Sequence, residues 1–390
     1  MNWRSRDTVL ALTVAAFFGT MVARIVISPL IPDVIGAFGV SKSAIGLALT
    51  GMWAAYALLQ FPSGVLGERF GERTVVLVAL GLTGVGSLLV SASPSYPAFA
   101  VFVVFLGTGA GLYFSAASSF LVRRFENTGQ ALGFHSAGGP LAGLVGPVAA
   151  AYVGSRYGWR AAILLGAAVA LPVFALYWWR VPATPPQHPD RSMVEQFQFG
   201  LLVRLLSRPQ IAYTTLLAIL GYFTWQAFAS FFPTFLVEYR GFSSQRASLV
   251  FGAVFALAAL GLPVLGRVSD RVGRDAVLAL SFTSNAVGYL LLLGGSGLAT
   301  TIAGVAALGF GMSWGGVLNS RFMDGFSDAE RGTGFGLVRM VAMLVSSLGS
   351  VVVGTLAEHL NWPVAYGLVV ALLAFAVLSL VVNRALRLGL

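Results

Sequence analysis

Residues 64–73 read GVLGERFGER, and residues 266–275 read GRVSDRVGRD. Slid over one another at an offset of 202, the two stretches superimpose Gly64, Glu68, Arg69 and Gly71 on Gly266, Asp270, Arg271 and Gly273. The correspondence continues outside them. Gly107 and Gly109 fall on Gly309 and Gly311, and at an offset of 203 Gly129, Gly133, Gly146 and Trp159 fall on Gly332, Gly336, Gly349 and Trp362. One half of the chain therefore repeats the other, in the same orientation.

Of the 390 residues, 57% are hydrophobic and 10% charged, where a soluble domain carries about 25% charged residues. Between polar breaks lie apolar runs of the length that crosses a hydrocarbon core of about 30 Å. They predict an all-α membrane protein of twelve transmembrane helices, at 8–34, 44–66, 74–92, 97–122, 129–153, 159–180, 209–237, 245–266, 276–296, 298–320, 332–357 and 363–383. The first run is too long for a signal peptide and lacks a small-residue cleavage site, so it is expected to stay as a span. With no cysteine there is no disulfide, thiolate metal site or thiol nucleophile. The 3 histidines are scattered, so no metal site is expected. No nucleophile–base pair or phosphate-binding loop is visible, and neither catalysis nor a cofactor is expected.

The net charge of +10 does not indicate nucleic acid, because the arginines recur in short clusters between the spans. Lys42, Arg156, Arg160, Arg240 and Arg246 lie on one side, Arg24 and Arg339 lie within spans, and the other 17 of the 24 basic residues lie on the side of the termini. That bias predicts cytoplasmic termini. The prolines of VPATPPQHPD, from residue 181, divide the chain into a half at 1–180, a linker at 181–208 and a half at 209–390. In the linker, Ser192 and Glu195 have capping-box spacing, and Val194, Phe197, Leu201 and Leu205 share a face. A short helix on the inner membrane surface is expected there.

At these residues the chain resembles the major facilitator superfamily of secondary transporters, over essentially its whole length. The family pattern after the second span of each half is G-x-x-x-[DE]-R-x-G-R-[RK]; here Glu72 replaces the usual Arg, and Asp275 stands where a basic residue is usual. The resemblance implies two pseudo-symmetric six-helix halves and a loop that latches them, with gating roles for Gly64, Glu68, Arg69, Gly71, Arg73, Asp270, Arg271, Gly273 and Arg274. The fifth span matches the exporter pattern G-x(8)-G-x(3)-G-P-x(2)-G-G in part, through Gly133, Gly146 and Pro147, with Ala142, Ala150 and Ala151 in place of glycines. Close helix packing alone accounts for such small residues. The fourth-span pattern R-x-x-x-G-x-G has Val103 in place of its arginine, which speaks against proton-driven drug efflux.

An ionised side chain at the bilayer centre costs at least about 2.5 kcal/mol, so such residues usually line a cavity and act there. Arg24 is near the middle of the first span, and Arg339 is about two turns inside the eleventh, where it can also snorkel to the headgroups. Thr13, Thr20 and Ser28 share a face with Arg24, and the repeat carries that face onto Thr215, Tyr222, Gln226 and Ser230. In a parallel repeat those two spans face one another across the pseudo-two-fold axis, where family members bind substrate. Arg24 and Gln226 are therefore expected to confront each other. Trp225, Trp314, Tyr113, Tyr56 and Gln60 are further candidates for the lining. His135, in the fifth span, is a candidate proton site.

All 14 Asp and Glu residues fall in loops, tails or span ends. Positive charge without a counter-carboxylate predicts a small anionic solute, such as an organic carboxylate, since guanidinium can grip one through two parallel hydrogen bonds. The alternative is an exporter of hydrophobic or cationic compounds, which the missing intramembrane acid opposes. The expected setting is a cell membrane, as a monomer among lipids.

Overall fold

The computed structural model describes residues 3–189, 199–327, 330 and 332–390. Its helices long and apolar enough to span a membrane are Arg6–Phe38, Lys42–Phe70, Glu72–Ser91, Tyr96–Arg124, Thr128–Arg180, Pro209–Glu238, Ser244–Val272, Arg274–Gly294, Leu298–Gly325, Thr333–His359 and Trp362–Ala385. The 53-residue helix Thr128–Arg180 changes direction at Gly158, where φ is 84° and ψ 162°. Its arms, 128–157 and 159–180, are the fifth and sixth spans, so the chain makes twelve and ends on the face where it began.

The repeat is visible residue by residue. The second span (Lys42–Phe70) and the eighth (Ser244–Val272) both have 29 residues. Each begins on a serine that caps it, Ser41 accepting from the Ala44 amide and Ser243 from the Arg246 amide. They end at Gly71 and Gly273, where φ is 84° and 96°. That conformation suits glycine. At Gly71 a side chain would also strike the Thr184 carbonyl.

Four spans are broken near their middles, the eleventh at Ser347 between Thr333–Ser346 and Leu348–His359. In the first (Arg6–Phe38), Pro29 and Pro32 deny donors to the Ile25 and Ser28 carbonyls, and a 3-10 turn, Ser28–Leu30, joins the two helical parts. The fourth divides between Gly111 and Phe114, and the tenth contains a 3-10 turn at Met312–Trp314.

On the face opposite the termini the halves are in contact. Gly46 of the second span leaves 2.8 Å between its Cβ position and the Ser350 carbonyl of the eleventh. Thr50 donates to the Ser347 carbonyl at 3.0 Å, and Lys42 pairs with Glu238 at 3.0 Å. The seventh span (Pro209–Glu238) meets the first where Ser28 donates to the Ser230 carbonyl at 2.9 Å. On the terminal face, the helix Phe199–Leu206 carries Leu201 and Leu202 against Phe61, Val65, Leu337 and Met340. Leu205 is fully buried. The apolar face expected to lie on the membrane surface thus packs on the second and eleventh spans. Ser192, Glu195, Val194 and Phe197, its expected beginning, lie outside the described residues.

Candidate functional site

Arg24 occupies the last turn of the helix Trp3–Ile25, next to the break. A cation is favoured there because the last carbonyls of a helix carry partial negative charge. The side chain is 3% exposed. Its Nε donates to the Thr20 carbonyl at 3.1 Å and its Nη2 to the Met21 sulfur at 3.4 Å. The guanidinium lies over the Tyr56 ring at 4.1 Å and the Trp53 ring at 5.3 Å. Cation–π contacts of this kind are worth about 0.5 to 2 kcal/mol each. They soften the cost of the buried charge without neutralising it.

Arg339 reaches the same place from the eleventh span (Thr333–His359). Its guanidinium is 5.4 Å from the Phe114 ring, and its electrostatic neighbours are Tyr222 and Tyr56. Tyr56 is also the polar neighbour of Arg24. Tyr56 therefore touches Arg24 and lies within electrostatic reach of Arg339, from the other half. Neither arginine forms an ion pair among the described residues.

The seventh span supplies the opposite wall. Trp225 packs edge-on to Trp53 at 5.1 Å, and Tyr222 packs edge-on to Trp314 at 5.1 Å. Gln226 donates to the Met343 carbonyl at 3.3 Å, while its Oε1 is buried without a partner. Both polar atoms of Gln60, the indole nitrogens of Trp53 and Trp314, and Nε of Arg339 are likewise buried and unpartnered. An unmet buried polar group costs about 1 to 3 kcal/mol, more when charged. Most of these unmet atoms are donors, so the cluster is suited to a ligand rich in acceptors.

The remaining candidates are placed as follows. Arg24 and Gln226 have separate partners. Thr13, Thr20 and Thr215 bond back to helix carbonyls at Val9, Phe17 and Ile211. Ser28 and Ser230 belong to the contact between the first and seventh spans, where the Ser230 and Ser350 hydroxyls lie 2.7 Å apart. His135 is fully buried, with Nε2 3.1 Å from the Tyr113 hydroxyl and rings of Phe17 and Phe114 against it. Gly146 packs on Ile25 and Val26 of the first span, and Pro147 is buried.

At the loop motifs, the described contacts stay within a half or reach the linker. The Glu68 carbonyl accepts from the Gln187 and His188 amides, and the Arg73 amide donates to Thr184. Arg274 pairs with Asp270 and Asp324. The two departures from the family pattern have a shared use. Glu72, 1% exposed, pairs with Arg123 at 2.9 Å, and Asp275 pairs with Arg321 at 2.7 Å. In each half an acid near the end of the motif holds an arginine at the terminal-face end of the fourth or tenth span. Both pairs run between helices far apart in sequence, which spacing alone does not reveal.

The fold is shared with a solved nucleoside transporter, NupG, with a TM-score of 0.78 at 15% identity over 98% of each chain. A hexuronate transporter of Bacillus subtilis is 23% identical over 69% of this chain and 67% of its own. A gallate transporter of Pseudomonas putida is 23% identical over 97% of this chain and 92% of its own. The family model described as the Major Facilitator Superfamily matches residues 12–259 and 214–387. With its twelve helices in two pseudo-symmetric halves, the chain belongs to the Major Facilitator Superfamily of secondary transporters.

Proposed function

We propose that this transporter moves a small organic anion by alternating access, with Arg24 and Arg339 as its charged ligands and the two halves, 1–180 and 209–390, rocking about the site. The observation that carries the reading is a pair of guanidiniums in the interior, from different halves and both within electrostatic reach of Tyr56, with no carboxylate among the described residues paired to either. A buried charge without a counterion is strongly unfavourable. A bound carboxylate supplies the counterion, and the unmet donors of Trp53, Gln60 and Trp314 are suited to its oxygens. That the named relatives include hexuronate and gallate transporters agrees with this substrate class.

A lone anion entering against an inside-negative potential costs about 2.3 kcal/mol per charge per 100 mV. The reading is therefore of export, anion exchange, or entry together with a proton. For a proton the candidate carrier is His135, because the acids lie in loops, tails and span ends. We place both termini in the cytoplasm of a cell membrane, on the 17 basic residues of that side. The linker joins the halves there, and the motif residues Glu68, Arg69, Asp270 and Arg271 serve the gate.

The experiment is counterflow in proteoliposomes, screening carboxylates, sulfonates, amines and neutral drugs against the native chain and Arg24→Ala. Uptake of a carboxylate or sulfonate that Arg24→Ala abolishes is expected. Preference for amines, or anion uptake undiminished by Arg24→Ala, would overturn the assignment.

A further inference from the structure

Beside the two arginines lies an apolar cavity of about 260 Å³ between the halves. Its wall includes Met21, whose sulfur touches Arg24, and Phe114, whose ring faces Arg339. A second apolar cavity, of about 760 Å³, lies between the fifth and eighth spans. The two share Ser136, Pro140 and Leu262. The outer part of the second is bordered by Leu144 and Leu260, 39% and 70% exposed, on the flank that faces lipid in a spanning protein. The two cavities abut at these residues, and together they line an apolar path from the bilayer flank toward Met21 and Phe114, the side chains beside the guanidiniums.

The passage has a structural cause. The fifth and eighth spans press together where Gly143 lies directly against the Phe255 ring and the Gly252 Cβ position is 2.7 Å from the Leu144 carbonyl. Toward the terminal face, Pro140 and Pro263 each remove a helical donor and permit a bend, and there the cavity opens between the two spans. The opposite seam is closed along its length. Thr50 bonds to the eleventh span, the Phe61 ring is 3.1 Å from the Gly336 Cβ position, and Leu201 and Leu202 pack beneath.

A strongly hydrated solute gains nothing along such walls, since losing water without new hydrogen bonds is costly. An amphipathic solute matches both ends. Resting on the anion reading, we propose that the substrate is an amphipathic anion whose charged head sits on Arg24 and Arg339. Its apolar body lies in the passage between the fifth and eighth spans, entered sideways from the bilayer.

The test is binding of butyrate, hexanoate, octanoate and octylammonium to the full chain in nanodiscs by calorimetry. Affinity is expected to rise with chain length, by up to about fourfold for each methylene buried. Ser136→Trp and Leu262→Trp, which narrow the junction, should each lower the ratio of octanoate to butyrate affinity at least tenfold. If one variant is not monodisperse, the other decides. Affinity independent of length, an unchanged ratio in a folded variant, or a phospholipid in the passage that octanoate does not displace in native mass spectra would overturn the inference. The anion reading fails separately, if octylammonium binds better than octanoate or if Arg24→Gln binds both carboxylates as tightly as the native chain.

Discussion

At the scale of single residues, the arginine pair sets the ranking of effects. Arg24→Lys keeps the charge but loses the planar fork and its stacking over Tyr56 and Trp53. A charge-assisted hydrogen bond is worth about 1.5 to 3 kcal/mol, so anion affinity should fall roughly 10- to 100-fold. Gln226→Ala removes a neutral contact worth about 0.5 to 1.5 kcal/mol. Its effect should be about tenfold at most, measured by calorimetry on the same folded preparations. Equal losses for the two variants would mean that the fork of Arg24 is not used. Arg24 and Arg339 are legible in the sequence because a charge inside an apolar run stands out against its neighbours. Tyr56 as the tyrosine near both is not, because an aromatic in a span looks the same whether it packs or binds. Only the approach of the second and eleventh spans from separate halves reveals it.

At the scale of elements, the spans and their repeat are legible because apolar length is a simple requirement. Gly71 and Gly273 mark the same turn twice for a reason that each glycine's φ makes plain. The pairs that tie the elements together are not legible. Glu72 is 1% exposed while the Arg123 side chain is 35% exposed. Arg123→Ala therefore strands a buried carboxylate of its ion-pair partner, leaving the Gln187 hydrogen bond at 3.3 Å, and should cost about 3 kcal/mol. Glu72→Gln leaves an arginine that can turn to water and should cost about 1 kcal/mol. Thermal melting should rank the two in that order, with the double variant above Arg123→Ala alone; the reverse order would refute the pairing. A second tie has a pH window. Glu330, before the eleventh span, is lowered to about 2 by the bidentate hydrogen bonds from Arg208 at the end of the linker, aided by the Ser327 amide. A carboxylate with a depressed folded pKa stabilises above its unfolded value, near 4.5, and that contribution is lost as pH falls toward about 2. Melting followed from pH 5 to pH 3 should fall less steeply for Glu330→Gln than for the native chain. Parallel curves would show that the pair contributes nothing.

At the scale of the whole molecule, the contacts across the halves concentrate on the face opposite the termini. There Lys42 pairs with Glu238, the Ser43 amide bonds to Glu358 at 2.8 Å, and Gly354 lies against the Lys42 carbonyl. On the terminal face the seam between the second and eleventh spans is filled by the linker helix, while the seam between the fifth and eighth is open to an apolar cavity. The direction in which such a molecule works depends on which face meets the cytoplasm. Twelve spans return the chain to its starting face, so one measurement orients every loop, and the absence of native cysteine makes introduced thiols the only ones present. Ser95 and Ser296, both exposed, lie in loops opposite the termini, and exposed Asn127 lies in a loop on the terminal face. The 17 basic residues on the terminal side predict that this side stays in the cytoplasm. Ser95→Cys and Ser296→Cys should react with an impermeant maleimide added to intact cells, and Asn127→Cys should react only after lysis. Labelling of Asn127→Cys alone in intact cells would invert the proposed orientation. Equal labelling of all three would contradict the arrangement of the loops itself.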